Sequence, residues 1–269
     1  MRVETGANAN DRAVPFRGGG FAPRKKRGAA LVSFVLLIAL WQAVVQGKLV
    51  NPLFLPAPSS IIAALYALAA SGDLWRHLAA SLYRISMGWL LGTAAGLAVG
   101  FAIGLFSLAR SIGLPLVSAL FPIPKIALLP LFILWFGIGE PSKVATIALG
   151  VFFPTAVAAF SAVDNVSRTL IRMAQSFGLP AAEIVRKVVL PGALPGILSG
   201  FRISASIALI LVVAAEMINA QFGIGALVLI AGNLMQTDQL LAGVVVLSVL
   251  GLVIAWALGL LERRLLRWR

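Results

Sequence analysis

Few side chains in this sequence are of a type that does chemistry. It has one histidine, His77, no cysteine, and nine acidic residues among 269. Thiol catalysis is therefore excluded, as are the usual zinc sites built from several Cys or His ligands. No His/Asp/Glu cluster and no Ser–His constellation forms, so an enzyme embedded in the bilayer is disfavoured. The notable feature is charge set inside apolar sequence: Arg84, Lys125, Arg202 and Glu216. In a bilayer such charges are costly and normally face protein or a water-filled cavity. Lys125 stands between Pro122, Pro124 and Pro130, whose rings free backbone carbonyls. That is tolerated where irregular backbone is buried or lines a pathway. Its ammonium either lies on the route of an anionic substrate or is structural, paired with a carbonyl or with Glu216. Glu216 reads as a gate residue, an ion-pair partner or a capping acid. Direct contact with an anion is disfavoured because like charges repel. Arg202 is expected to snorkel to the inner surface and brace the loop before it. Arg84 has a similar bland reading at the outer end of its span, and His77 one of interfacial packing beside Trp75 and Arg76.

The elements that position these residues follow from composition. The chain is 60% apolar and only 12% charged, whereas a soluble domain carries about a quarter charged residues. Crossing a bilayer takes about 20 mostly apolar helical residues. Six stretches qualify, near 29–46, 84–107, 113–136, 143–163, 194–218 and 239–261. The fold class expected is an all-α membrane protein of six transmembrane helices.

Charge orients them. If the N-terminal tail is cytoplasmic, sixteen cations lie inside: seven in the tail, Arg110, then Arg168, Arg172, Arg186 and Lys187, then Arg263, Arg264, Arg267 and Arg269. Outside there are three, Lys48, Arg76 and Lys143. Both termini are therefore expected in the cytoplasm. The pI near 11.6 then reflects this bias rather than nucleic-acid binding, since the basic clusters flank spans and no domain remains to fold around DNA.

Residues 1–27 read as a disordered basic cytoplasmic tail, with 28–269 the membrane domain. Arg24-Lys25-Lys26-Arg27 before an apolar run resembles a signal peptide. The run is long, however, and Gln46-Gly47-Lys48 offers no small-x-small cleavage site, which favours an uncleaved first span. Ser59 and Ser60 are placed to cap a short helix reaching about Ala70, and Asp73 a second one leading into span 2. Gly223-Ile224-Gly225 opens an apolar run too short to cross, as expected of a re-entrant or interfacial turn. Gly88, Gly92, Gly96, Gly100 and Gly104 repeat every four residues, a small-residue stripe for close packing within the subunit or across a dimer.

One internal loop is long and basic, from about 164 to 194. Asp164 and Asn165 can cap a helix through Arg168, Ile171, Ala174 and Phe177, and Gly178 is a natural stop. Pro180 suits the first turn of a second helix over 180–189, which Pro191 should end. That short helix puts Ile184 and Val188 on one face and pairs Glu183 with Lys187 on another. It is suited to dock in a groove on a soluble partner.

From Arg172-Met173-Ala174 through Gly178 to Val188-Val189-Leu190-Pro191, the loop resembles the EAA loop of binding-protein-dependent ABC importer permeases. Ala174, Gly178, Leu190 and Pro191 stand at the family spacing. Val188 replaces Ile, while Arg172 and Met173 depart from the leading Glu-Ala. Leu55-Pro56-Ala57-Pro58, Ser81 to Arg84, Pro124 to Pro130, Trp135 to Gly139 and Ala215-Glu216-Met217 are similar to the nitrate/sulfonate/taurine branch. The resemblance covers roughly 50–265. It implies a type I permease fold in a bacterial inner membrane, a permease homodimer, two cytoplasmic ATPase subunits and an extracytoplasmic substrate-binding protein. The short helix would be the coupling helix, with Ala174, Gly178, Glu183, Ile184, Lys187, Val188, Leu190 and Pro191 the ATPase-coupling residues. Lys125 and Glu216 are the candidate pathway residues, and no cofactor is expected. The implied cargo is a small anion: a sulfonate such as taurine, nitrate or bicarbonate. The sequence carries no Gly-x-x-x-x-Gly-Lys-Ser/Thr, so ATP-driven transport would need a separate ATPase chain. The alternative is a stand-alone secondary transporter or channel, against which the lack of an internal repeat with paired broken helices argues.

Overall fold

The computed structural model describes residues 28–267, and the expected tail over 1–27 lies outside them. The described residues form eleven α-helices. These are α1 (Ala29–Gln46), α2 (Pro58–Ser71), α3 (Asp73–Leu105), α4 (Ser107–Leu120), α5 (Leu129–Phe136), α6 (Glu140–Asp164), α7 (Arg168–Ser176), α8 (Ala181–Ile184), α9 (Leu190–Asn219), α10 (Ile224–Asn233) and α11 (Thr237–Leu265). A short 3₁₀ turn, Lys125–Leu128, precedes α5, and a π turn, Val185–Val189, precedes α9.

Helices α3 and α6 form the centre, and the glycine stripe explains why. A Cβ on Gly88 would meet the Ile147 side chain, on Gly96 the Phe152 carbonyl and Thr155, and on Gly104 Val163. Residue numbers rise together along this contact, so α3 and α6 run parallel with their backbones nearly touching. The stripe is thus an intrasubunit contact. On the other side α9 runs antiparallel to α6, with Gly196 against Ala162 and Gly200 against Ala158. Helix α11 is antiparallel to α9. The core divides into an upper cluster of Ile85, Ile147, Val151, Ala208 and Val212 and a lower one of Ala159, Val163, Ile184, Val189 and Ile197.

Among the described residues, four helical stretches are long and apolar enough to cross a bilayer: Asp73–Leu105, Glu140–Asp164, Ala181–Asn219 and Thr237–Leu265. A fifth is possible only as a bent pair, Ser107–Leu120 with Lys125–Phe136, which turns through 89°. The third span expected over 113–136 is therefore not one helix. Pro122 and Pro124 supply no N–H donors and disfavour helical geometry in the residues before them, so the chain breaks at 121–124. Helix α1 carries an apolar run of only Leu31–Gln46 among residues whose side chains are described.

Local caps also differ from expectation. Pro58 opens α2 at its first turn and Ala57, not a serine, is its N-cap. Ser59 instead exchanges hydrogen bonds with Gln42 of α1. Asp164 belongs to the end of α6, where Arg110 pairs with it at 2.8 Å, and Ser167 takes the N-cap position of α7.

Candidate functional site

At one end of the core, four elements meet on a buried ionic knot. Helix α3 presents His77, Ser81 and Arg84 on one face, at spacings of four and three residues. The Arg84 side chain is 3% exposed and that of Glu216, on α9, is 0%. Arg84 Nη1 donates to Glu216 Oε1 at 2.7 Å and to the Phe222 carbonyl at 2.7 Å. Its other edge donates to both oxygens of Glu140, at the start of α6, at 2.6 Å each. The Ser81 hydroxyl donates to Glu216 at 2.8 Å and accepts from the Ile224 N–H at 2.9 Å. Gly225 N–H fills Glu216 Oε2 at 2.9 Å. His77 Nδ1 sits on the Gly223 backbone, 2.7 Å from its carbonyl oxygen and 3.0 Å from its nitrogen, and the His77 ring meets Phe222 edge-on at 5.7 Å.

A buried carboxylate is tolerable only when its lone pairs are answered by charge-assisted hydrogen bonds, and here they are. The knot fastens α3, α6 and α9 to the α9–α10 turn. Gly223 is required there twice over. Its φ is 140°, and a Cβ would overlap the Glu216 carboxylate, 2.5 Å from each oxygen. Lys143, expected in an outside loop, is buried as well and donates to the Gly139 carbonyl at 3.1 Å. His77 is a buried hydrogen-bonding residue rather than interfacial packing, and Arg84 is a central cation rather than a peripheral one.

Lys125 and Glu216 do not meet. The Lys125 ammonium donates to the Phe121 carbonyl and, at 3.3 Å, to that of Leu120. It also lies 4.6 Å from the centre of the Phe153 ring. It therefore closes the C-terminal end of α4 where the prolines break the chain, which is the carbonyl pairing anticipated as one alternative.

At the opposite end of the core lies the segment from α7 to α9. Gly178, with φ 74°, lets the chain leave α7: its N–H donates to the Gln175 carbonyl at 2.9 Å and that of Leu179 to Ala174 at 3.2 Å. A side chain at 178 would meet no atom within 4 Å, so glycine is needed for its backbone alone. Ala174 is buried, and Lys187 pairs with Glu183 at 2.7 Å as expected. Two expectations fail. Ile184 is buried in the chain's own lower core and Val188 packs against it, so that face is not free to dock elsewhere. The exposed apolar residues include instead Leu170, Met173 and Phe177, the last 76% accessible. Nor does Pro191 end the helix, which runs from Ala181 to Asn219. The π turn over 185–189 widens the backbone just where the ring of Pro191 would otherwise press on the carbonyl of Lys187, one turn earlier. Leu190 is exposed and Pro191 half-buried at this junction. Arg202 does not brace the segment: its Nη2 donates to Glu262 of α11 at 2.5 Å.

Residues 92–267 match the family described as binding-protein-dependent transport system inner membrane component. The taurine transport system permease protein TauC of Escherichia coli K12 is 39% identical over 241 residues, 88% of each chain. The putative aliphatic sulfonates transport permease protein SsuC of Bacillus subtilis 168 is 37% identical over 251 residues, covering 92% of this chain and 91% of its own. Among solved structures, an inward-facing MetNI methionine ABC transporter covers 71% of this chain and 95% of its own, with TM-score 0.62 and 24% identity. An amino acid ABC transporter chain aligns with TM-score 0.60 at 17% identity, over 74% of this chain and 97% of its own. At these identities the structural likeness establishes the fold alone.

Proposed function

The chain belongs to the family of binding-protein-dependent transport inner membrane components, and from that membership we propose that it moves taurine or a related aliphatic sulfonate inward by ATP-driven alternating access. The observation that carries the cargo is 39% identity to a taurine permease across 88% of both chains. In this reading six spans cross the inner membrane, α1 and the bent α4–α5 unit included, with both termini and the 164–194 segment on the cytoplasmic side. The positive-inside charge distribution supports that orientation. Two copies of the chain form the pathway. A pair of cytoplasmic ATPase subunits engages the segment around Gly178, and a loaded binding protein docks on the face that carries the ionic knot.

The docking face differs from the one that helical periodicity suggests. Ile184 and Val188 hold the segment to its own core. Met173, Phe177 and the neighbouring Ala181 and Ala182 are turned outward, so they are the surface an ATPase cleft would receive. Apolar anchors at the centre of an interface are typically worth about 2 kcal/mol or more. Phe177→Asp is therefore expected to lower copurification of the ATPase at least about tenfold while the chain still inserts. Undiminished copurification would remove Phe177 from the interface.

Gly178→Val tests the geometry of the segment. A branched residue at φ 74° costs roughly 1–2 kcal/mol or more. Because space around residue 178 is open, the penalty falls on the path of the chain rather than on packing. ATP-dependent uptake should fall about tenfold or more with membrane insertion intact, read in proteoliposomes containing the chain, its ATPase and its binding protein. The decisive test of the whole reading uses the same vesicles. Radiolabelled taurine should accumulate only with ATP and binding protein present, and accumulation by the permease chain alone would contradict it.

A further inference from the structure

Helices α9 and α11 run antiparallel and leave a long groove between them. Its walls are mostly apolar, with Leu209 and Ile210 on α9 and Ile254 and Leu258 on α11, and its floor is open because Gly251 and Ala255 have little side chain. The groove ends at charge. Arg202 lines both this groove and the recess next to it, which Gly259, Glu262 and Arg263 complete. The Arg202 side chain is 54% exposed. Among the described residues Glu262 engages only its Nη2, and Gly259 leaves room beside the guanidinium, since even a Cβ there would lie 3.6 Å from Nη2. Arg264 and Arg267 follow on the same end of α11 and are exposed. One acid therefore faces two arginines in the recess, with two more just beyond.

We propose that this groove is a binding site for one anionic phospholipid, its acyl chain along Leu209, Ile254 and Leu258 and its phosphate at Arg202 and Arg263. From Gly251 to Glu262 the helix rises about 16 Å, close to one leaflet of a hydrocarbon core roughly 30 Å thick. Charge sits only at the end where α11 leaves the apolar zone, as a headgroup requires. Planar guanidinium groups suit a phosphodiester, which accepts two parallel hydrogen bonds. Basic recesses between spanning helices are a general mode of anionic headgroup recognition. Helix α11 lies on the outside of the molecule, with only 6% of its apolar window buried, so lipid has direct access. The lipid would clamp α11 to α9, the helix that continues into the Gly178 segment.

The test is native mass spectrometry of the full chain copurified with its ATPase, titrated with phosphatidylglycerol or phosphatidylcholine of matched chains. Phosphatidylglycerol should be retained at least about tenfold more tightly. Arg263→Gln, which leaves the Arg202–Glu262 pair intact, should remove most of that preference, and Arg202→Gln should do the same. Equal retention of the two lipids, or a preference unchanged in both variants, would overturn the site. So would disulfide cross-linking between copies in an L37C/L258C double variant, which the cysteine-free background makes readable and which would give the groove to a neighbouring α1. None of these results bears on sulfonate transport, so the lipid site can fail while the transport reading stands.

Discussion

Glu216→Ala is expected to destabilise the permease by about 3–5 kcal/mol, the usual loss when one partner of a buried ion pair is removed. Three groups lose a hydrogen bond together: Arg84 Nη1, which is left with the Phe222 carbonyl, the Ser81 hydroxyl and the Gly225 N–H. Arg84 keeps Glu140, which limits the loss without abolishing it. Thermal unfolding of the purified chain in detergent should show the change as a lowered midpoint and a lower monodisperse yield. Glu216→Gln separates charge from shape, because an amide oxygen can still accept from Gly225 while the ionic term is gone, so an intermediate loss is expected. Glu140→Ala should cost less than Glu216→Ala, since Glu140 is 44% exposed and water can replace it. If Glu216→Ala unfolds within about 0.5 kcal/mol of the parent, the range of an ordinary surface substitution, the knot is not what anchors the α9–α10 turn.

Gly96→Leu should separate α3 from α6. A Cβ at this position would already lie 2.7 Å from the Phe152 carbonyl oxygen and 2.8 Å from Thr155 Cβ. The first of these is backbone and cannot rotate away. Overpacking a well-filled core generally costs about 1–3 kcal/mol, and a rigid neighbour places this variant at the top of that range or above it. A loss of folded chain after extraction and a depressed unfolding midpoint are the expected readouts. Gly251→Ala on α11 is the matched control: its nearest neighbour would be Leu209 Cδ1 at 3.7 Å, an ordinary contact, so stability should hold or rise slightly through the better helix propensity of alanine. Equal behaviour of the two variants would show that the stripe is not a packing seam.

What the sequence discloses here divides by the range of the interaction. Periodicity and length are local, and they place the four long helices to within several residues, the helix expected from Asp73 into span 2 being the first part of α3. The glycine repeat announces close packing, while its partner, α6, appears only in three dimensions. Gly178 is legible because a positive φ is a local demand. Pairing is not local. Arg84, Glu140 and Glu216 are 56 and 132 residues apart from Arg84 outward, and nothing in the spacing joins them. The one usable signal was the rule that an isolated charge in an apolar span must find a counter-charge, and it pointed equally to Lys125. The packing of Ile184 and Val188 on the chain's own core is hidden for a related reason. An apolar stripe on a short helix says that something covers it, not whether the cover is a partner or the same chain. The proline stop at 191 failed because a π turn can absorb what an α turn cannot.

The helical run from Ala181 to Asn219, 39 residues long and widened only by the π turn at Val185–Val189, has a mechanical consequence. At 1.5 Å per residue it is a strut of roughly 58 Å, seated at one extremity among Ala174 and Val166 and gripped at the other by the Glu216 carboxylate. Had Pro191 ended the helix, a hinge would lie between those extremities and torque applied to one would dissipate before reaching the other. Without that hinge, twist imposed on residues 181–189 must be relieved either by bending at Pro195 or by strain on the Arg84–Glu216 bond. The stiffness at Pro195 then sets how much of a stroke made on one side of the membrane arrives as work on the other.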